Sequence, residues 1–132
     1  LGERTITVDC DVLQGDGGTR TASVTGGFVA LSYALHKLVK DGVLPEMPLT
    51  TCVAAVSAGI VGEEPMLDLC YEEDSHAQVD LNCVMTGEGN LVELQGTGEG
   101  RPFTVDEQRA LVDLCAKGIG ELQAIQRQVL GG

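Results

Sequence analysis

The chain of 132 residues has no tryptophan and only two tyrosines and two phenylalanines. Proteins that hold single-stranded nucleic acid by base stacking need aromatic side chains, so few residues here could bind in this way. Basic residues are also scarce, since eight Lys and Arg stand against 20 Asp and Glu and give a formal net charge of −12 at pH 7. A negative net charge repels nucleic acid, so the surface as a whole does not attract it. A polyanion must therefore be bound away from the acidic residues.

No Lys or Arg occurs between Lys40 and Arg101, a stretch that holds 12 Asp and Glu residues. Such a stretch is either a solvated acidic surface or a region in which some carboxylates bind a divalent cation. No apolar run is long enough to cross a bilayer and no secretory signal is recognisable, so we expect no membrane partner. The sequence begins without a methionine, and we expect it to be a piece cut from a longer chain.

The five cysteines are odd in number and widely spaced, and none forms a CxxC pair. Most have apolar neighbours, where a free cysteine behaves as a small hydrophobic residue. This usage favours a reduced, cytoplasmic setting over a disulfide framework, and we expect no metal to be bound through them. With 43% apolar and 21% charged residues, the chain has the size and composition of one globular domain.

The hydrophobic pattern predicts a strand, a helix, four further strands and a long second helix. The first strand covers residues 5–13, in which apolar and polar residues alternate. The first helix covers residues 21–40, with apolar residues at three- and four-residue steps, and ends near Gly42. The four further strands form two hairpins, followed by a glycine-rich loop at residues 96–100; they cover residues 51–61, 66–71, 81–86 and 91–95.

A capping box, Thr104 with Glu107, predicts the start of the second helix, which covers residues 105–130. Its side chains would satisfy two backbone N–H groups that the first turn leaves without partners. The element order predicts an α/β (α+β) fold in which a mixed sheet is covered by two helices.

The glycine-rich stretch at residues 15–21, Gly-Asp-Gly-Gly-Thr-Arg-Thr, joins the first strand to the first helix. A helix start has unpaired N–H groups and a partial positive charge, and glycines let that backbone approach an anion closely. Arg20 adds a planar group of donors suited to phosphate oxygens. A plain Asp-Gly-Gly turn before a Thr/Ser-rich helix start is the alternative, because the spacing matches neither the dinucleotide fingerprint nor the P-loop.

Two carboxylates are candidates for chemistry. Asp74 follows one predicted strand and Asp80 lies at the entry of the next, so the connection can bring both to one end of the sheet. Paired carboxylates suit Mg²⁺, which keeps water and substrate phosphate in its shell. One of them could instead act as a general acid if its pKa is raised. A solvated acidic loop is the alternative, and we assign no function to His36 or His76.

Several stretches together resemble the ribonuclease PH family of bacterial exoribonucleases; they are residues 3–23, 73–75, 79–86 and 95–100. The resemblance runs from end to end of the chain but covers only the C-terminal half of the family's polypeptide. Two residues depart from the family pattern. Gln78 stands where an acid is expected, which could weaken metal binding, and Gly27 stands where alanine is usual.

The resemblance implies a fold of the ribosomal protein S5 domain 2-like type, with residues 1–132 as the C-terminal half of a ribonuclease PH-type domain. It implies a phosphate-dependent 3′→5′ exoribonuclease that trims tRNA precursors, releases nucleoside diphosphates and can run in reverse as a nucleotidyltransferase. By the same resemblance, Gly18, Thr19 and Arg20 bind inorganic phosphate as co-substrate. Asp74 and Asp80 are then the catalytic or Mg²⁺-binding carboxylates.

The family acts on RNA 3′ ends and assembles as a hexameric ring, so the resemblance implies an RNA partner and a homo-oligomer. It also implies that the absent half supplies a further phosphate-contacting arginine and much of the basic RNA-binding surface. We therefore expect the 132-residue chain alone to be inactive or nearly so. A non-catalytic assembly module of an exosome-like ring and a small anion-binding module are the alternative functions.

Overall fold

The computed structural model describes residues 1–131, in which three helices accompany one four-stranded sheet. The elements are α1 (Thr19–Lys40), β1 (Val53–Val61), β2 (Glu64–Leu67), α2 (Tyr71–His76), β3 (Val79–Thr86), β4 (Leu91–Gly98) and α3 (Val105–Val129). The strand order is β2-β1-β3-β4. Every neighbouring pair is antiparallel, so the sheet is not the mixed one predicted, whereas the α+β class is confirmed. Among the described helices, none has the length and apolarity to cross a membrane.

The predicted first strand is wrong, because residues 5–13 form no strand within the part of the chain that the structure describes. The segment lies along α1, where the Cys10 thiol is 3.8 Å from the carbonyl oxygen of Ser23. Val8 is 45% exposed and Val12 is 51% exposed. Alternation shows that a segment can bury one face, but a strand also needs a neighbour to pair with its backbone, and no described strand lies beside it.

Helix α1 begins two residues earlier than predicted, directly after Gly18, whose φ is +76°. It ends as predicted, since Gly42 has a φ of +77° and the N–H of Val43 donates to the carbonyl of Leu38. This left-handed residue after the last turn is the usual glycine termination of a helix. The bounds of α1 therefore follow from two glycines.

The hairpin β1–β2 is tighter than predicted. Gly62 and Glu63 both have positive φ, 54° and 71°, and form a two-residue turn that pairs Val61 with Glu64. Pairing with β1 then ends at Leu67, and Asp68, with φ 59°, turns the chain away. The predicted hairpin is confirmed, but the bounds 66–71 of its second strand are wrong: β2 is Glu64–Leu67, and Tyr71 already belongs to the short helix α2, which begins with a capping box of Cys70 and Glu73.

The core lies between α3 and one face of the sheet. Alternate residues of β1 and β3 point at α3, as the two-residue period of a strand requires. Their partners on α3 recur every four residues; the core comprises Ala54, Val56, Ala58, Ile60, Val79, Leu81, Cys83, Met85, Leu111, Cys115 and Ile119. All five cysteines are free, as predicted, and two of them are fully buried here as small hydrophobic residues.

The second hairpin and α3 follow the prediction closely. Strand β4 continues to Gly98, through part of the predicted glycine-rich loop. A Cβ at Gly96 would lie 3.1 Å from the Phe103 ring, so glycine leaves room for that ring against the sheet. At the start of α3, Thr104 accepts from the N–H of Glu107 at 3.0 Å, and the Glu107 carboxylate accepts from the N–H of Thr104 at 2.9 Å. The predicted capping box is confirmed.

Candidate phosphate and carboxylate site

The glycine turn is docked on the start of α2. The Asp16 carboxylate accepts hydrogen bonds from the N–H of Gly17, at 2.8 Å, and from the N–H of Tyr71. These two bonds, that of Tyr71 above all, hold the pKa of Asp16 below its usual range. A Cβ at Gly17 would overlap the carbonyl oxygen of Leu69, so only glycine allows this approach of the two backbones. The turn is thereby fixed to the short helix that carries Asp74.

The first turn of α1 meets the requirements of an anion site. Gly18 is the N-cap in the left-handed conformation, no side chain caps the helix, and the first turn contains no acidic residue. The N–H groups of the first turn therefore keep the partial positive charge of the helix end. An open groove of about 530 Å³ lies beside the turn, between residues 8–14 and the start of α1. Gly18 and Thr19, two of the predicted phosphate-binding residues, line it.

Arg20, the third predicted phosphate-binding residue, reaches across the sheet to β4. Its Nη2 donates to both carboxylate oxygens of Glu93, at 2.7 Å and 2.9 Å. The side chains of this ion pair are 59% and 40% exposed, respectively. Sequence reasoning missed Glu93, because the two residues are 73 positions apart and no local spacing connects them.

The register of the sheet shows how the site residues lie on the face opposite α3. Three rows run across β1, β3 and β4: Ala55, Val84 and Glu93; Ser57, Asn82 and Gln95; and Gly59, Asp80 and Thr97. Asp80 is therefore four residues along the strands from the row of Glu93, which is roughly 13 Å at the rise of a β-strand. Arg20 and Asp80 mark the two ends of one polar strip on this face.

Ser57 lies in the middle row, under the glycine turn. It is 5% exposed, and its Oγ has no hydrogen-bond partner within residues 1–131. A Cβ at Gly18 would be 3.5 Å from that oxygen, which places the hydroxyl directly beneath the helix start. A buried hydroxyl without a partner is unusual, and here it stands beside the backbone predicted to bind phosphate.

Asp74 and Asp80 lie near one another, on α2 and β3. The pKa of Asp80 is raised, first by burial and then by the negative charges of Asp74 and Glu99. Gln78, between them in sequence, accepts at its carbonyl from the N–H of Glu99, at 2.9 Å, and its side chain accepts from Nε of Arg101 at 3.3 Å. Gln78 thus anchors the loop after β4 and adds no negative charge to the pair.

The acidic residues do not form a three-ligand metal site in the part of the chain that the structure describes. The raised pKa of Asp80 shows an electrostatic cost that a cation beside Asp74 and Asp80 would offset. Mg²⁺ is bound in many phosphate-handling sites by one or two carboxylates with water and substrate phosphate, so this pair fits such an ion. His76 is exposed and its Nδ1 lies 2.8 Å from the carbonyl oxygen of Glu72, which leaves it outside the pair.

The fold and site together define an α+β domain in which the turn before α1 is docked on the start of the helix that carries Asp74. Residues 51–117 match the 3′ exoribonuclease family, domain 2. The chain therefore belongs to this family. Its relatives include the protein named Ribonuclease PH of Moorella thermoacetica, 63% identical over 131 residues, and that of Neisseria gonorrhoeae, 58% identical over 130 residues.

The chain spans about half the length of these relatives. The Moorella alignment covers 99% of this chain and 52% of that protein, and the Neisseria alignment covers 98% and 54%. Among solved structures, rice Rrp46 superposes with a TM-score of 0.69 at 15% identity, over 91% of this chain and 51% of that one. The Archaeoglobus fulgidus exosome with RNA bound to the active site superposes with a TM-score of 0.63 at 22% identity, over 85% and 44%. These structures confirm the fold.

Proposed function

We propose that this chain is the phosphate-binding and acidic half of a phosphate-dependent 3′→5′ exoribonuclease that trims tRNA 3′ ends. The relatives named Ribonuclease PH support this proposal through identities of 57–63% across nearly the whole chain. The observation that carries it is the uncapped start of α1, docked through Asp16 and Gly17 onto the helix that bears Asp74. This contact joins the anion-binding backbone to the carboxylate pair.

In the proposed reaction, inorganic phosphate is the attacking group. The backbone of Gly18 and Thr19 and the guanidinium of Arg20 hold it, which reduces the repulsion between two anions that must meet. A phosphate oxygen attacks the phosphorus of the terminal phosphodiester, and the bond to the 3′ oxygen of the preceding nucleotide breaks. The products are a nucleoside diphosphate and an RNA shorter by one nucleotide with a free 3′ hydroxyl.

The departing 3′ oxygen needs its charge neutralised, and Asp74 and Asp80 are the residues proposed for this. Asp80, whose pKa is raised, is the better candidate to deliver a proton to that oxygen. Alternatively, Asp74 and Asp80, both ionised, would hold Mg²⁺, which when bound would supply positive charge next to the leaving oxygen. Reversal of the reaction is nucleotidyl transfer from a nucleoside diphosphate.

The charge of this chain makes a second component necessary for RNA binding. A net charge of −12 opposes the approach of RNA, so we propose that basic surface outside these 132 residues binds the substrate. We also propose a homo-oligomeric ring, a hexamer, in the cytoplasm, with tRNA precursors or other RNA 3′ ends as substrates. The 132-residue chain alone is then inactive or nearly so.

The first experiment titrates inorganic phosphate into the purified chain and follows its backbone amides by NMR. We expect shifts at Gly18 and Thr19 that Arg20→Ala removes. Arg109→Ala is the matched control, because Arg109 is an exposed arginine of α3 paired with Asp106. Equal phosphate binding in all three proteins would overturn the proposal.

A second experiment separates the enzyme from its alternatives. The chain is mixed with the N-terminal half of the Moorella relative and given a 3′-extended tRNA with phosphate and Mg²⁺. Release of nucleoside diphosphates that Asp80→Asn abolishes supports the exoribonuclease. Phosphate binding without release points to an anion-binding module, and ring assembly without phosphate binding points to a structural subunit.

A further inference from the structure

We infer that Glu93 is a positioning residue for Arg20, which it holds in the orientation that binds phosphate. This inference rests on the proposed function, since it assigns a role to Arg20 in phosphate binding. The two residues form an ion pair in which a single nitrogen of the guanidinium, Nη2, contacts both oxygens of the carboxylate. The effect of this ion pair on phosphate binding depends on which guanidinium donors it occupies.

The ion pair leaves most of the guanidinium available. A guanidinium has five N–H donors on three nitrogens, and only those of Nη2 are engaged by Glu93. Within residues 1–131, Nε and Nη1 of Arg20 make no hydrogen bond. Three donors, one on Nε and two on Nη1, therefore remain free, and Nη1 can donate to a phosphate oxygen while Nη2 stays on Glu93.

Both ends of the ion pair stand on fixed backbone. Glu93 lies within β4, opposite Val84, which is 7% exposed at the centre of the sheet. Arg20 is the second residue of α1, next to the glycine turn that is docked on α2. A long arginine side chain loses conformational freedom when it binds a ligand, and a partner that already holds one nitrogen reduces that loss.

The exposure of the pair indicates that it does little for stability. Exposed ion pairs contribute about 0–1 kcal/mol to folding, and these side chains are 59% and 40% exposed. A substitution at Glu93 should therefore change phosphate binding more than the melting temperature. This difference separates a positioning residue from a structural one.

Two substitutions of Glu93 test whether it positions Arg20 for phosphate or competes with phosphate for Arg20. Glu93→Ala removes the partner of Nη2, and we expect it to weaken phosphate binding about three- to tenfold. Glu93→Gln keeps an oxygen acceptor of the same reach and removes the negative charge, so we expect phosphate binding at least as tight as that of the unsubstituted chain. If Glu93 instead competed with phosphate for Arg20, both substitutions would tighten binding.

The test measures the dissociation constant of inorganic phosphate for the 132-residue chain at constant ionic strength, by NMR titration. Asp106→Ala is the matched control, because it removes the same charge from another exposed arginine pair, at 3.0 Å from Arg109. The NMR signal of the Arg20 Nε–H gives a second readout of how firmly the guanidinium is held. We expect this signal to be broader in Glu93→Ala and to keep its original width in Glu93→Gln.

Each outcome decides the inference. Weaker binding in Glu93→Ala alone, with the melting temperature unchanged, supports it. If Arg20→Ala abolishes binding while Glu93→Ala matches Asp106→Ala, the inference fails and the proposed function stands. If the unsubstituted chain binds no phosphate, both the proposed function and this inference are wrong.

Discussion

The hydroxyl of Thr25 in α1 satisfies both backbone groups of Ala55 in β1. It accepts from the Ala55 N–H at 3.0 Å and donates to the Ala55 carbonyl at 3.2 Å. Strand β2 pairs only with residues 58–61 of β1, so this part of the β1 edge has no neighbouring strand. Helix α1 therefore covers the edge in place of a strand, which also holds its first turn over the site.

Thr25→Val is expected to destabilise the chain by about 1–3 kcal/mol, because it leaves the buried N–H and carbonyl of Ala55 without partners at nearly unchanged volume. Thr25→Ser keeps the hydroxyl and is the control, with a smaller loss expected. Urea unfolding followed by circular dichroism measures both. A loss in Thr25→Ser as large as that in Thr25→Val would contradict the prediction, because Thr25→Ser keeps the hydroxyl and removes only the methyl group.

Most of the fold could be predicted from local pattern. The two long helices follow from hydrophobic period and from end signals, Gly42 for α1 and the Thr104–Glu107 capping box for α3. The strands β1, β3 and β4 follow from apolar runs separated by turn residues. These signals act within a few residues, which is why they can be read without knowing the tertiary structure.

The errors arose where distant residues decide the structure. Residues 5–13 alternate like a strand, but pairing depends on a neighbour that the sequence pattern does not reveal. The end of β2 is set by the positive φ of Asp68, which propensity does not favour. In the site, the resemblance named Asp80 and Arg20, whereas Glu93 could be recognised only from the tertiary structure, in which the Arg20 side chain reaches β4.

Two glycines near the site are predicted to respond oppositely to alanine. At Gly26, inside α1, a Cβ would meet nothing within 4 Å, so Gly26→Ala should stabilise the chain by about 0.5–1 kcal/mol through helix propensity. At Gly17 a Cβ would overlap the backbone of Leu69, so Gly17→Ala should destabilise it by about 1–3 kcal/mol. Urea unfolding measures both, and a neutral Gly17→Ala would show that the glycine turn is not docked on α2.

Asp80 is predicted to lower the stability of the fold. Its pKa is raised by burial and by the charges of Asp74 and Glu99, so ionisation is less favourable in the folded chain than in the unfolded one. The resulting decrease in the free energy of unfolding is absent when the pH is below the ordinary pKa of 3.8, and it is complete when the pH is above the raised pKa. Asp80→Asn should therefore raise the melting temperature at pH 7 and change it little at pH 3.

The control for Asp80 is Asp113→Asn, which removes an exposed aspartate of α3. Differential scanning calorimetry at the two pH values gives the comparison. A lower melting temperature for Asp80→Asn at pH 7 would mean that the ionised carboxylate stabilises the fold. In the mixed-halves assay the same variant should lose activity, so that gain of stability and loss of function occur together.

Glu107 is predicted to make the chain sensitive to acid. Its carboxylate accepts from Nη2 of Arg101 at 2.8 Å and from the N–H of Thr104, which lower its pKa from 4.5 to about 2. Because the folded pKa lies below the unfolded one, the stabilisation is complete above about pH 4.5 and is lost as the pH falls through 2. Glu107→Gln should lower the melting temperature at pH 7 and flatten its dependence between pH 5 and pH 2. Glu121→Gln, an exposed site on the same helix, is the control, and parallel curves for Glu107→Gln and the unsubstituted chain would contradict the prediction.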